Sequence, residues 1–129
     1  MRLALIFVTV FAFSLAGLMA QDELAQFQTW MKAGAGGQRA AMKAVQGSDV
    51  AAAKAAAKDS ADAFESIAGF FKAKGKDDGV KFAESARDAA KAASEASTME
   101  DVQANLAKMG PNCNGCHMQY RMGNAFKGL

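Results

Sequence analysis

Apolar residues recur along this chain at steps of three and four, in four separate stretches. From Asp22 to Val45, the positions Leu24, Phe27, Met31, Gly34, Gln38, Ala41 and Val45 fall on one helical face. From Asp49 to Lys74 the stripe is Val50, Ala53, Ala57, Phe64, Ile67 and Phe71, with Ser48 as the expected N-cap and Gly75 as the expected C-terminal stop. From Asp78 to Ala96 it is Val80, Phe82, Ala83, Ala86, Ala90 and Ala93. The fourth stretch opens at "STMED", where Ser97 and Glu100 make a capping-box pattern. Its stripe is Met99, Val102, Leu106, Met109, Cys113, Cys116 and Tyr120. Pro111 lacks a backbone donor and should disturb that helix about one turn before the cysteines. The tail from Gly123 is expected to fray. Alternating β-branched runs are missing, so no strand is predicted. Four helices with short connections predict an all-α, antiparallel, up-down-up-down four-helix bundle.

Two features do not suit an ordinary bundle. The second and third stripes are mostly alanine, and each alanine buries little apolar area. Such a core must either pack very tightly or enclose a large apolar object. The "GAGG" run at 34–37 is costly in a helix, at about 1 kcal/mol per glycine relative to alanine. It predicts either a kink or something bulky pressed against the backbone.

The segment before the first stretch has a different character. Arg2 is followed by an apolar run over residues 3–16 and small residues at Ala16, Gly17 and Ala20. That pattern reads as a secretory signal over 1–20, cut after Ala20, with 21–129 as one mature domain. The destination is extracytoplasmic, with a periplasm-like space fitting best and no stable membrane insertion after cleavage. Of the 15 Lys and Arg and 13 Asp and Glu, only Arg2 lies in the signal. The remaining chain is within one charge of neutral, which argues against a nucleic-acid partner.

The chemistry is concentrated in "CNGCH". Cys113, Cys116 and His117 are both cysteines and the single histidine of the chain. Structural zinc wants four Cys or His ligands, and only three exist. A redox dithiol of the thioredoxin type belongs to an α/β fold, and no strands are predicted. A local disulfide would close a tiny loop and leave the histidine unexplained. Covalent haem uses all three residues: two thiols on one side of a helix add to two vinyl groups, and the adjacent imidazole faces the iron.

"CNGCHMQYR" at the end of the last of four helices resembles the class II cytochromes c, the cytochrome c′ group and its low-spin relatives. The resemblance implies one haem c attached through Cys113 and Cys116, with His117 as the proximal iron ligand. It places Tyr120 and Arg121 in the haem surroundings, Arg121 beside the proximal face. It also allows a homodimer through the first two helices. In this family a residue of the first helix decides function. A methionine there ligates the iron and makes an electron carrier for redox partner proteins. A non-ligating residue leaves a five-coordinate iron that binds small gases such as NO or CO.

The antiparallel arrangement selects a methionine. Met31 lies about 14 Å in from Asp22 at 1.5 Å per residue, and His117 lies roughly 9 Å before Gly123, so their depths match. Met42, about 30 Å in, belongs at the far end. Met31 is therefore the expected distal ligand, with Trp30 and Phe27 near the haem edge and Gly34 letting the plate lie close to the first helix. A second register puts Ala35 at the distal position and leaves an open face. Three functions follow: a non-enzymatic electron carrier, a five-coordinate gas-binding protein, and a helical scaffold with a disulfide and no haem.

Overall fold

The computed structural model describes residues 2–123 and 125–129, with side chains from residue 19 onward. The helices are α1 (Arg2–Gln46), α2 (Val50–Ala73), α3 (Asp77–Glu95), α4 (Met99–Ala107) and α5 (Met109–Tyr120). The expected bundle forms, with α4 and α5 together making its fourth rod. Apart from its helical backbone and last two residues, the expected signal segment lies outside what is described.

The fourth rod breaks at Lys108, as Pro111 predicts. Proline at the third position of α5 has no N–H to give to Ala107, so the α4 ladder has no reason to continue. Both expected N-caps shift by one residue. Ser48 adopts φ 59°, and Asp49 caps α2 by accepting from the Ala52 N–H at 2.9 Å. Thr98 rather than Ser97 caps α4, accepting from the Asp101 N–H at 3.1 Å. Gly75, with φ 65°, ends α2 as expected; the following Lys76 N–H returns to the Phe71 carbonyl at 3.0 Å.

The glycine run in α1 makes no break. An added Cβ at Gly37 would sit 2.9 Å from the Ala56 carbonyl oxygen and from Ser60, so glycine lets α2 close directly onto α1. Ser60 is fully buried, and its hydroxyl donates to the Gly34 carbonyl at 2.7 Å. The bulky group against Gly34 is the Phe64 ring, 3.0 Å from where a Cβ would be. At that surface the neighbour is therefore α2, where a cofactor plate was expected.

The core runs along the bundle in two characters. Toward the α3–α4 turn it is Ala41, Ala53, Ala57, Ala90 and Ala93 with Val102 and Leu106, all fully buried. Toward the α2–α3 turn it is aromatic: Phe27 stacks on Phe70 at 4.5 Å and meets Phe71 edge-on at 5.5 Å. Val50, expected in the α2 stripe, is exposed at the first turn. The tail does not fray. Arg121–Met122 (β1) pairs antiparallel with Ala125–Phe126 (β2), and Phe126 packs edge-on against Phe27 at 5.0 Å. Among the described residues no helix is long and apolar enough to cross a membrane.

Candidate functional site

The helices do not pack evenly around the axis. α4 lies against α1, α2 and α3, whereas α5 packs on α3 and stands off from α1. Two clefts fill the space between α1 and α5. The inner one is apolar, lined by Phe64, Ile67, Phe82, Ala83 and Ala86 with Asn112, Cys113 and Cys116. The outer one is polar, about 420 Å3, and lined by Gln28, Lys32, Ala35, Arg39, Arg121 and Phe126. Met31 and His117 line both.

Cys113, Cys116 and His117 come together because they sit on one side of α5, three and four residues apart. Gly115 between the cysteines meets α3: a Cβ there would be 2.5 Å from the Phe82 ring. Glycine at this position lets the motif lie against its supporting helix. Both thiols are half-buried and unpaired. Burial, with the Cys113 and Asp78 charges adding, pushes the Cys116 thiol up to about 11, and burial raises Cys113 as well. Redox dithiols work through a depressed thiol pKa, so this environment does not suit that chemistry. Burial and then the nearby Arg121 charge hold His117 below its usual value, which keeps the imidazole neutral at pH 7. A neutral imidazole is the form that binds a metal. No cluster of three or more Cys, His, Asp or Glu among the described residues is arranged to hold a metal ion.

A clamp at the end of α5 fixes this helix. Tyr120 and Gln119 both donate to the Asp78 carboxylate at the start of α3, and the Gly79 N–H donates to the same carboxylate at 2.9 Å. These bonds, the Tyr120 hydroxyl first, hold the Asp78 carboxyl below the usual carboxylate range. Tyr120 is buried, and its ring lies 4.9 Å from Phe71. The Lys127 N–H donates to the Tyr120 carbonyl at 2.8 Å, tying the tail to the same point.

The other expected site residues divide. Arg121 reaches the outer cleft beside His117. Phe27 is buried behind the clefts and backs Phe126, which lines the outer one. Tyr120 turns toward Asp78 and Phe71. Gly34 is covered by Phe64. Trp30 is not brought to the clefts; it lines a separate groove between α1 and α2 with Phe70 and Lys74. Phe82, Phe64, Lys32 and Arg39 were not foreseen. Phe82 and Phe64 were already on the predicted stripes, so helical spacing carried their signal, whereas Lys32 and Arg39 lie off the buried stripe of α1 and had none.

Two thiols, a neutral imidazole and a thioether beside an apolar slot are a donor set that fits haem. The fold and site together define a four-helix bundle with a thiol–imidazole motif on its last rod. A family model described as Cytochrome C' matches residues 71–121, from Phe71 near the end of α2 through Arg121, so over that stretch the chain is similar to the class II cytochromes c. Proteins of that family carry haem, and the match includes the Cys113, Cys116 and His117 motif. No curated protein and no solved structure matches the chain.

Proposed function

We propose that this protein is an extracytoplasmic electron carrier with one haem c, joined to Cys113 and Cys116 and ligated by His117 and Met31. The observation that carries this reading is that Met31 and His117 are the two residues common to both clefts, one from α1 and one from α5. When bound, haem supplies a one-electron iron couple. The protein's own residues set the conditions. Cys113 and Cys116 anchor one edge in the apolar slot, and Phe64, Ile67 and Phe82 exclude water from it. Asp78, through Tyr120, fixes the rotation of α5 and so the direction of His117. A methionine opposite a histidine raises the potential. No substrate is transformed in this role, so the protein is an electron carrier rather than an enzyme. The pattern of residues 1–20 supports export to a periplasm-like compartment, with redox proteins there as partners.

Ala35 and the open outer cleft beside Met31 support a second reading, a five-coordinate iron that binds NO or CO. One variant separates the two. Met31→Ala should retain covalent haem, lose the charge-transfer band of methionine-ligated ferric haem and turn high-spin. An unchanged spectrum would remove Met31 from the iron. High-spin bands and ready CO binding in the unaltered protein would establish the gas-binding reading instead.

A further inference from the structure

The surface grooves differ in the charges that line them. The groove between α2 and α3 mixes four cations with four carboxylates, and Arg87 within it pairs with Glu65 and Asp88 at 2.8 Å. The groove between α1 and α2 sets Asp22 and Glu23 against Lys74. The outer cleft beside His117 carries Lys32, Arg39 and Arg121 and no carboxylate. Among the described residues, none of these three cations lies within ion-pairing distance of an acidic side chain. Like charges gathered in one cleft repel one another unless an anion joins them.

The linings of the two clefts match the asymmetry of one molecule. Haem has an apolar vinyl edge, an iron at its centre and two carboxylates on the edge away from the vinyl groups. The inner cleft is apolar and holds both thiols, and the outer cleft is cationic. Met31 and His117 line both clefts. We propose that Lys32, Arg39 and Arg121 form the carboxylate-binding mouth of the haem site and hold its two propionates. This rests on the haem reading of the preceding subsection. The Arg121 Nε donates to the Gly123 carbonyl at 2.8 Å, which orients the guanidinium and leaves its terminal N–H groups for a carboxylate. Lys32 and Arg39 come from α1 and Arg121 follows α5, so the propionates tie together two helices that otherwise stand apart.

The test uses the full-length, haem-loaded protein with Arg39→Gln and Arg121→Gln, beside the charge-keeping Arg39→Lys and Arg121→Lys. Both arginines are exposed, so folding is retained in all four. Two properties are read: the midpoint potential, and the carboxylate bands in the redox-induced infrared difference spectrum. Each Gln variant should lower the potential, because a lost cation no longer opposes the ferric charge, and should shift the propionate bands. The Lys variants should keep the potential close to the original. Unmoved potential and unmoved bands in the Gln variants overturn the proposal. So does a change confined to the salt dependence of electron exchange with an acidic protein, which would make the cations a docking surface. A chain without covalent haem sinks the preceding reading as well, whereas low-spin haem with unmoved bands sinks this one alone.

Discussion

At the α3–α4 end of the bundle, glycine and alanine bring the helices close enough to exclude everything else. At the α2–α3 end, large aromatic side chains surround two clefts, and α5 is held by one neighbouring helix and a clamp. Both ends belong to helices of similar composition. A small side chain therefore has two uses in this chain. Where two facing helices present one, the backbones meet, as at Gly37 against Ala56. Where α5 stands off from α1, Ala83 and Ala86 of α3 line a slot. The alanine-rich core foreseen from the stripes packs tightly at one end and lines a slot at the other.

Replacing Cys113 and Cys116 by serine should have the largest effect and confine it to the open end. Haem staining after denaturing electrophoresis should vanish, while far-UV circular dichroism still reports a largely helical chain. Collapse of all helicity would mean that the closed end depends on the cofactor. Gly37→Val should do the reverse. Its side chain has no room against Ala56 and Ser60, so overpacking should cost about 1–3 kcal/mol in denaturant unfolding. The haem spectrum should stay the same, because the strain falls on the closed end.

Tyr120→Phe keeps the ring on Phe71 and removes the hydroxyl that Asp78 accepts. It should lower the melting temperature by a smaller amount that depends on pH. Asp78 has a depressed folded pKa, so its contribution is present above the unfolded value of 3.8 and is lost as pH falls through the lower folded value. Burial, followed by the Asp78 bond, pushes Tyr120 up from 10.0 to about 12. That contribution is present below pH 10 and is lost as pH rises through 12. The difference between the two proteins should therefore be greatest near neutrality and shrink at both extremes. A difference independent of pH would mean that the clamp is not what the hydroxyl supplies. Lys74→Ala should matter least. Its 2.5 Å pair with Glu23 is solvent-exposed, and such pairs contribute about 0–1 kcal/mol. Added salt should erase the difference.

The four rods and their inward faces were legible because burial imposes a period that the sequence cannot hide. Met31 and His117 were brought together by depth along antiparallel helices, which needs only element lengths. Other features depended on contacts between distant residues. Phe126 folds back because Phe27 offers a ring, and nothing near Gly123 announces that. Trp30 neighbours Met31 in sequence, but one residue is about 100° of helix, enough to turn it toward α2. The caps moved by one residue because the last turn before a helix is set by local backbone angles, as with Ser48, and several polar residues there can serve.

The break at Lys108 separates the fourth rod into two pieces with different obligations. α4 can dock with α1, α2 and α3 using side chains alone, since its Val102 and Leu106 are already fully buried among them. α5 lies beyond the break, where it packs mainly on α3 and carries the motif apart from α1. The frame is thus closed by three helices and α4, and α5 is the hinged panel fastened to it at Asp78.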